Sequence, residues 1–293
     1  MLDWFTLAFI SALFSATAAI SQKKILFKME ALEFSFILAL FNLALSIPFF
    51  FFVDFASLQF YNIFILYLKT ILGAFAFLFV MLSIKNLEIS GALPLMVLTP
   101  AFVAVFAYFI IDETLVPLEI AGILLLITGT YILETRMRQN IFDPFKVFWK
   151  SKAHHYVIGA LLLFTLTALL DRVLLYKYKV EPAAFMGFQQ FFLAVNFSIF
   201  FFFSKTKFSQ VLKFSSKNIF GWIILVSVLT IGYRYTQIEA IKIAPVALVL
   251  SVKRISVFFA AIIGGKLFSE KNLLKKALAT SLMIAGALLL INQ

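Results

Sequence analysis

Ten stretches of about 20 predominantly apolar residues follow one another along the chain. Each stretch is long enough to cross the hydrocarbon core of a bilayer as an α-helix. The chain is 63% hydrophobic and only 13% charged, which excludes an ordinary soluble domain. We predict an all-α integral membrane protein with ten transmembrane helices at about residues 4–22, 34–53, 62–83, 91–111, 117–134, 155–176, 183–203, 218–240, 244–265 and 272–291.

The two halves of the chain resemble each other. The matching segments are Lys23–Lys28 with Arg172–Lys177, Leu87–Ala92 with Ile241–Val246, Glu113 with Glu270, and Gly129 with Gly286. Because each half contains five spans, an odd number, the second half must be inverted relative to the first. Inverted repeats with a site where the halves meet are typical of transporters. We predict a first five-helix repeat at 1–134, a linker loop at 135–154 and a second five-helix repeat at 155–293.

Two adjacent cations, Lys253 and Arg254, lie near the middle of the ninth predicted span. A cation in hydrocarbon costs roughly 2.5–3.5 kcal/mol on insertion scales, so it needs a partner, a water-filled cavity or a ligand. Adjacent residues of a helix point about 100° apart, and both need not face one cavity. Either the pair binds substrate, with Arg as a two-oxygen clamp, or it forms an ion pair with Asp171 or Glu239.

Other polar side chains within apolar runs are candidates for the same cavity. Arg234, next to Tyr235, could form a cation–π cradle for substrate or anchor its helix at the interface. Lys69 could reach the cavity or extend its ammonium group to the membrane surface. Gln190 and its neighbour Gln189 could contact substrate or hydrogen-bond between helices. We predict Arg234, Tyr235, Lys69 and Gln190 as substrate-binding candidates.

Pro94 and Pro100 interrupt the fourth predicted span. A proline inside a helix removes a backbone donor and leaves a carbonyl oxygen without its usual partner. Thr99 could satisfy such a carbonyl, and we also count it among the substrate-binding candidates. We predict a kink at these prolines, with a gating hinge as the functional alternative.

Small residues at four-residue spacing predict which helix faces pack closely in a membrane. In the first span the small residues are Ala8, Ala12 and Ala16 beside Ser11, Ser15 and Ala19. In the last span they are Ala277, Ser281 and Ala285.

These segments carry a resemblance to a known family. The run Ala240–Pro245, followed by the basic pair and then Gly265–Glu270, resembles the second repeat of an EamA-type transporter. Gly91–Glu113, followed by Gly122 and Gly129, resembles the first repeat. The family belongs to the drug/metabolite transporter superfamily, and the resemblance covers essentially the whole chain. It implies a ten-helix inverted-repeat bundle with a central cavity lined mainly by spans 1, 3, 4, 6, 8 and 9. It does not imply one substrate, because members move amino acids, metabolites, sugar derivatives or drugs.

The resemblance and the residues together favour a transporter of a small polar metabolite by alternating access. Basic cavity candidates outnumber acidic ones, so we expect an anionic or zwitterionic solute. A lipid-linked carrier or flippase is the alternative, followed by a membrane-embedded enzyme. The sequence lacks cysteine and shows no acid pair inside a span, no metal-ligand motif and no nucleophile motif. We expect membrane lipids and a small solute as partners, with no cofactor, metal or nucleic acid, in a bacterial inner membrane. The sequence does not predict the oligomeric state.

The distribution of cations predicts the orientation. Most of the 25 Lys and Arg residues lie in the loops on one side of the predicted bundle, opposite the termini. The positive-inside rule therefore places both termini outside the cytoplasm. The family resemblance instead implies cytoplasmic termini, and we follow the charges.

The acidic residues bear on energy coupling. An acid in the middle of a membrane is the usual proton relay. Asp171 and Glu239 lie within one or two turns of their predicted span ends, next to Arg172 and Lys242, which would keep them ionised. We therefore predict a facilitator or exchanger that is not driven by protons.

Overall fold

Helices make up nearly all of the described structure. The computed structural model describes residues 3–56, 58–99, 101–102, 117–134, 151–204, 217–244 and 246–289, and these residues form helices and loops without a strand. The helices are α1 (Trp4–Leu26), α2 (Ala31–Ser46), α3 (Phe60–Asn86), α4 (Ile89–Leu95), α5 (Pro117–Glu134), α6 (Lys152–Arg172), α7 (Pro182–Phe202), α8 (Lys217–Ile243), α9 (Val246–Lys253), α10 (Ile255–Leu267) and α11 (Leu273–Leu289).

Six of these helices are long and apolar enough to cross a membrane, counted over the described residues. They are α1, α2, α3, α6, α7 and α8, where α2 continues as a 3₁₀ turn and α6 as a π-helical turn. The multi-pass, all-helical fold class is therefore confirmed. The ten-span count, the inverted repeat and the domain boundaries stay predictions.

Side chains just before the first two helices fix where those helices begin. Asp3 accepts a hydrogen bond from the Thr6 backbone N–H at 3.2 Å at the start of α1. Glu30 and Glu33 form a reciprocal capping box at the start of α2. Each cap satisfies backbone donors that have no partner within the helix and contributes about 1 kcal/mol. The short connection between the two helices makes them antiparallel neighbours.

The helices pair across the two halves of the chain. α1 packs against α8, α3 against α6, α2 against α7, α5 against α11, and α4 against α10. Each pair joins a helix before residue 135 to one after residue 151. If each helix is exchanged for its counterpart in the other half, α1–α8 maps onto α6–α3, and the other three pairs map onto themselves. This pattern supports the predicted duplication.

Small residues allow the closest helix crossings. In α1, Ala8, Ala12 and Ala16 are buried as predicted, and Ser11 donates a hydrogen bond to the Tyr233 carbonyl of α8 at 2.8 Å. In α11 the prediction was wrong, because Ser281 and Ala285 are exposed and Ala277 is only partly buried. The buried face of α11 instead includes Ala279, Met283 and Gly286, which lie on a different side of the helix from the predicted residues.

Gly286 brings α11 onto α5. A Cβ atom at Gly286 would lie 2.7 Å from the Gly122 carbonyl oxygen. A Cβ atom at Gly129 of α5 would lie 2.4 Å from the Met283 side chain. Both contacts are shorter than heavy atoms tolerate, so this crossing requires glycine on both helices.

A cation at the end of the first helix of each half caps the third helix of that half. Lys23 donates hydrogen bonds to the Ile84 and Leu87 carbonyl oxygens at 2.5 and 2.7 Å. Arg172 lies 3.4 Å from the Ile241 carbonyl oxygen, at the corresponding end of α8. These cations complement the negative end of the helix dipole. They also belong to the two segments that match between the halves of the sequence.

Glu270 connects the second half of the chain to the start of α4. Its carboxylate accepts hydrogen bonds from the backbone N–H groups of Ile89 and Ser90 at 2.7 and 3.1 Å. The Ser90 hydroxyl donates to the same carboxylate, and the Lys276 ammonium lies 3.8 Å from it. The side chain of Glu270 is only 5% exposed. It therefore acts as an N-terminal cap that is supplied from a distant part of the chain.

The fourth and ninth predicted spans are not continuous α-helices where they are described. α4 contains Pro94 and changes to a 3₁₀ turn at Met96–Leu98, and the kink itself stays a prediction. The Thr99 hydroxyl donates to the Met96 carbonyl at 2.7 Å, four residues before Pro100. Thr99 thus satisfies the carbonyl that a proline at position 100 cannot reach. Pro100 itself lies outside the described residues, and the hinge role of both prolines stays a prediction.

Candidate functional site

A cavity of about 270 Å³ lies between the two halves of the chain. Its walls come from α1, α3, α4, α6, α8, α9 and α10, in line with the spans expected from the family resemblance. α2 and α7 also line it, for example through Asn42 and Gln190. Small-molecule sites usually have volumes of about 300–1,000 Å³, so this cavity is close to the lower end of that range. It fits a compact solute.

The first polar cluster of the cavity joins Lys69 of α3, Asp171 of α6, Gln189 of α7 and Arg234 of α8. The Lys69 ammonium lies 2.6 Å from Asp171 Oδ1, and the Arg234 guanidinium lies 3.4 Å from Asp171 Oδ2. Both cations also donate to Gln189 Oε1, each at 2.8 Å. The carboxylate and the amide oxygen therefore hold two cations from different halves of the chain beside each other.

The cluster continues from Arg234 to Lys253 through a second glutamine. Gln237, one turn after Arg234 on α8, accepts a hydrogen bond from the Arg234 guanidinium at 3.4 Å. The Lys253 ammonium also donates to the Gln237 side-chain oxygen. Lys253 lies 4.5 Å from the centre of the Tyr233 ring, within cation–π range. An amide and an aromatic ring thus hold Lys253 without neutralising its charge.

Arg254 completes the row of cations and lies where the α-helix is locally irregular. α9 ends at Lys253, α10 begins at Ile255, and a π-helical turn follows at Ala260–Gly264. Both members of the pair line the cavity, although adjacent residues of a regular helix point about 100° apart. Arg254 Nε is buried and has no hydrogen-bond partner in the described part of the chain.

The charges around the cavity are unequal. Lys69, Arg234, Lys253 and Arg254 line it, and Asp171 is the one carboxylate among its described lining residues. No described carboxylate forms an ion pair with Lys253 or Arg254, so the alternative of an ion pair with Asp171 or Glu239 is not realised. Cations in a low-dielectric site without counter-charge favour a bound anion.

The remaining predicted residues are divided between the cavity and its surroundings. Gln190 lines the cavity, is 1% exposed, and its Oε1 has no partner among the described residues. Thr99 also lines the cavity, although its hydroxyl donates a hydrogen bond to the Met96 carbonyl oxygen. Tyr235 is not a lining residue. It is 39% exposed and packs on Phe49 with ring centres 5.5 Å apart, since it follows Arg234 by one residue and points elsewhere.

The charged partner predicted for Asp171 was wrong. The sequence suggested an acid near a span end that is balanced by Arg172. In the structure Asp171 is 4% exposed and lines the cavity. Arg172 turns away towards backbone carbonyls and lies 3.8 Å from the centre of the Tyr176 ring. The charge that balances Asp171 comes instead from Lys69 and Arg234.

Sequence reasoning missed Gln237 as part of the site. The ion pair between Lys69 and Asp171 could have been predicted from the sequence. Isolated charges of opposite sign in apolar spans need each other as partners, and these two residues are such charges. Helical spacing could have found Gln237, because it lies three residues after Arg234 and therefore on the same helix face.

Comparison with known proteins relates part of this chain to a transporter family. Residues 3–135 match the EamA-like transporter family. The predicted EamA resemblance is thereby confirmed over the first half of the chain, and the family is one of membrane transporters in the drug/metabolite transporter superfamily. No curated protein matches the sequence.

A solved structure described as "Crystal structure of protein" is similar to nearly the whole chain. The TM-score is 0.67 at 14% sequence identity, and the superposition covers 98% of this chain and 95% of that chain. At this identity the likeness concerns the fold alone. The fold of both halves is thus one that a solved structure also adopts.

Proposed function

We propose that this EamA-like protein carries a small anionic or zwitterionic metabolite across a cell membrane, such as a bacterial inner membrane. The observation behind the proposal is the row of cations in the cavity, where four cationic side chains face one carboxylate. Such an excess of buried positive charge costs free energy in the empty protein. A bound anion removes much of that cost, so the cavity has an electrostatic reason to bind solute.

The position of the cavity supports transport by alternating access. Its lining residues come from both halves, and the helix pairs α1–α8 and α3–α6 cross between the halves around it. The interrupted helices α4 and α10 also pack against each other. Discontinuous helices near the site and rocking of one half against the other are features of inverted-repeat transporters. We propose Pro94 as one hinge in this motion.

The size and the charge of the cavity favour a free solute. A volume of about 270 Å³ suits a compact metabolite better than a lipid-linked saccharide. We propose a facilitator or exchanger, because Asp171, the described acid at the cavity, is engaged by two cations. A proton relay would need an acid that is free to gain and lose its proton.

The proposal is tested by a thermal-shift screen of the purified protein against a library of metabolites. A solute that binds the folded state raises the melting temperature by mass action. We then expect Arg254→Gln to weaken binding of the best ligand about ten- to hundred-fold, because a hydrogen bond to a charged group contributes roughly 1.5–3 kcal/mol. Lys266→Gln is the matched control, since Lys266 is exposed and does not line the cavity. Equal affinities in wild type and Arg254→Gln would refute the proposed site.

A further inference from the structure

The carboxylate of Asp171 already forms ion pairs within the protein. Its two carboxylate oxygens face two different cations, Lys69 at 2.6 Å and Arg234 at 3.4 Å. The Gln189 amide oxygen accepts from both of these cations on another side. Asp171 is therefore the counter-ion of Lys69 and Arg234 within the protein itself, although its Oδ1 and Arg234 Nε have no hydrogen-bond partner in the described part of the chain.

A solute with an ammonium group would find no acceptor of suitable charge at this cluster. To reach Asp171, the ammonium would have to approach Lys69 and Arg234 as a third cation. Like charges at such distances repel each other, and in a buried site the repulsion costs several kcal/mol. The other described groups that line the cavity include no second carboxylate.

The opposite holds at Lys253 and Arg254. Lys253 is held by the Gln237 oxygen and the Tyr233 ring, which leave its charge uncompensated. Arg254 Nε has no partner in the described part of the chain. Both side chains only donate hydrogen bonds, so an oxyanion matches them. Gln190 adds a buried oxygen without a donor, which can accept a hydrogen bond from a hydroxyl group of the solute.

We propose that the cavity selects an oxyanion without an amino group, and that Asp171 serves as an internal counter-ion that excludes amines. This inference rests on the proposed function and narrows its solute to one chemical class. Carboxylates and phosphate esters share the required chemistry. Amino acids of the same size carry an ammonium group and bind more weakly.

The test uses pairs of compounds that differ only by an amino group. The carboxylate pair is succinate and aspartate, and the phosphate pair is ethyl phosphate and O-phosphoethanolamine. Each compound is titrated against the purified full-length protein in a thermal-shift or calorimetric measurement. In at least one pair we expect the compound without the amino group to bind at least ten-fold more tightly. The pair that shows the effect distinguishes a carboxylate from a phosphate as the preferred oxyanion.

The outcomes separate the inference from the proposed function. Equal or tighter binding of the amino compounds overturns the inference and leaves a solute site in place. If none of the four compounds binds, the best ligand from the metabolite library decides. An anion without an amino group supports the inference and an amine overturns it, whereas a library without any ligand overturns both proposals.

A variant arm tests the role of Asp171 directly. If Asp171 is an internal counter-ion, Asp171→Asn leaves Lys69 and Arg234 without a counter-charge, and the oxyanions bind as well as or better than in wild type. If Asp171 instead accepts a solute ammonium, the same variant weakens binding of the amino compounds alone, which overturns the inference. Should Asp171→Asn not fold, the comparison of compound pairs in the wild type still decides.

Discussion

Removal of Lys69 should destabilise the protein far more than removal of a partly exposed lysine on the same helix. Lys69 and Asp171 are only 3% and 4% exposed, and the distance between their charged groups is 2.6 Å. Without Lys69, Asp171 faces only Arg234, at 3.4 Å. Coulomb attraction varies inversely with distance, so Lys69 supplies the stronger attraction by a factor of about 1.3.

The expected magnitude follows from what a broken buried ion pair costs. Removing one partner leaves a buried charge without full compensation and typically costs roughly 3–5 kcal/mol. We expect Lys69→Met to lower the free energy of unfolding by about that amount, measured by chemical denaturation of the purified protein in detergent micelles. The double variant Lys69→Met/Asp171→Asn should lose less than the sum of the single variants, with a coupling of about 0.5–3 kcal/mol.

Lys85→Met is the matched control, because Lys85 is also on α3 and also forms an ion pair. Its partner Glu30 is 71% exposed, at 2.5 Å from the Lys85 ammonium. Such a pair contributes roughly 0–1 kcal/mol, since water and salt screen it. If Lys69→Met and Lys85→Met cost the same free energy, the buried cluster does not stabilise the bundle as we infer.

Three further outcomes are expected. Glu270→Ala removes the acceptor of the first two backbone N–H groups of α4 and should cost roughly 1–2 kcal/mol in a thermal melt, whereas an unchanged melting temperature would show that the cap is not needed. Gly286→Val should overpack the contact with Gly122, which costs roughly 1–3 kcal/mol of stability and lowers the melting temperature. Gly221→Ala, with open space around its Cβ position, should leave the melting temperature unchanged. A reporter fused after Gln293 should indicate a terminus outside the cytoplasm, and a cytoplasmic signal would show that the positive-inside reading is wrong.

The long helices could be predicted because their signal is local. An apolar run of about 20 residues determines a membrane helix almost by itself, and α1, α3 and α8 begin and end within a few residues of their predicted bounds. The break at Arg254 and the π-helical turn at Ala260–Gly264 gave no such signal. The π-helical turn packs against α4, which is far from it in sequence.

In the candidate site, too, some features could be predicted from the sequence and others could not. Lys253, Arg254 and Lys69 could be predicted as cavity candidates because a charge in an apolar span is expensive wherever it points. The partner of each charge could not be predicted, because pairing is set by the arrangement of helices from both halves. Asp171 illustrates the difference. Its neighbour in sequence is Arg172, but its neighbours in space are Lys69 and Arg234.

Transport by reconstituted protein tests the central claim most directly, namely that the cationic cavity binds and moves an anionic solute. Proteoliposomes loaded with the best anion from the binding screen are diluted into the labelled anion, and its uptake is followed. We predict counterflow in wild type and in Lys266→Gln, and a loss of at least ten-fold in Arg254→Gln. Undiminished counterflow in Arg254→Gln, with wild-type levels of folded protein in the vesicles, would contradict the account.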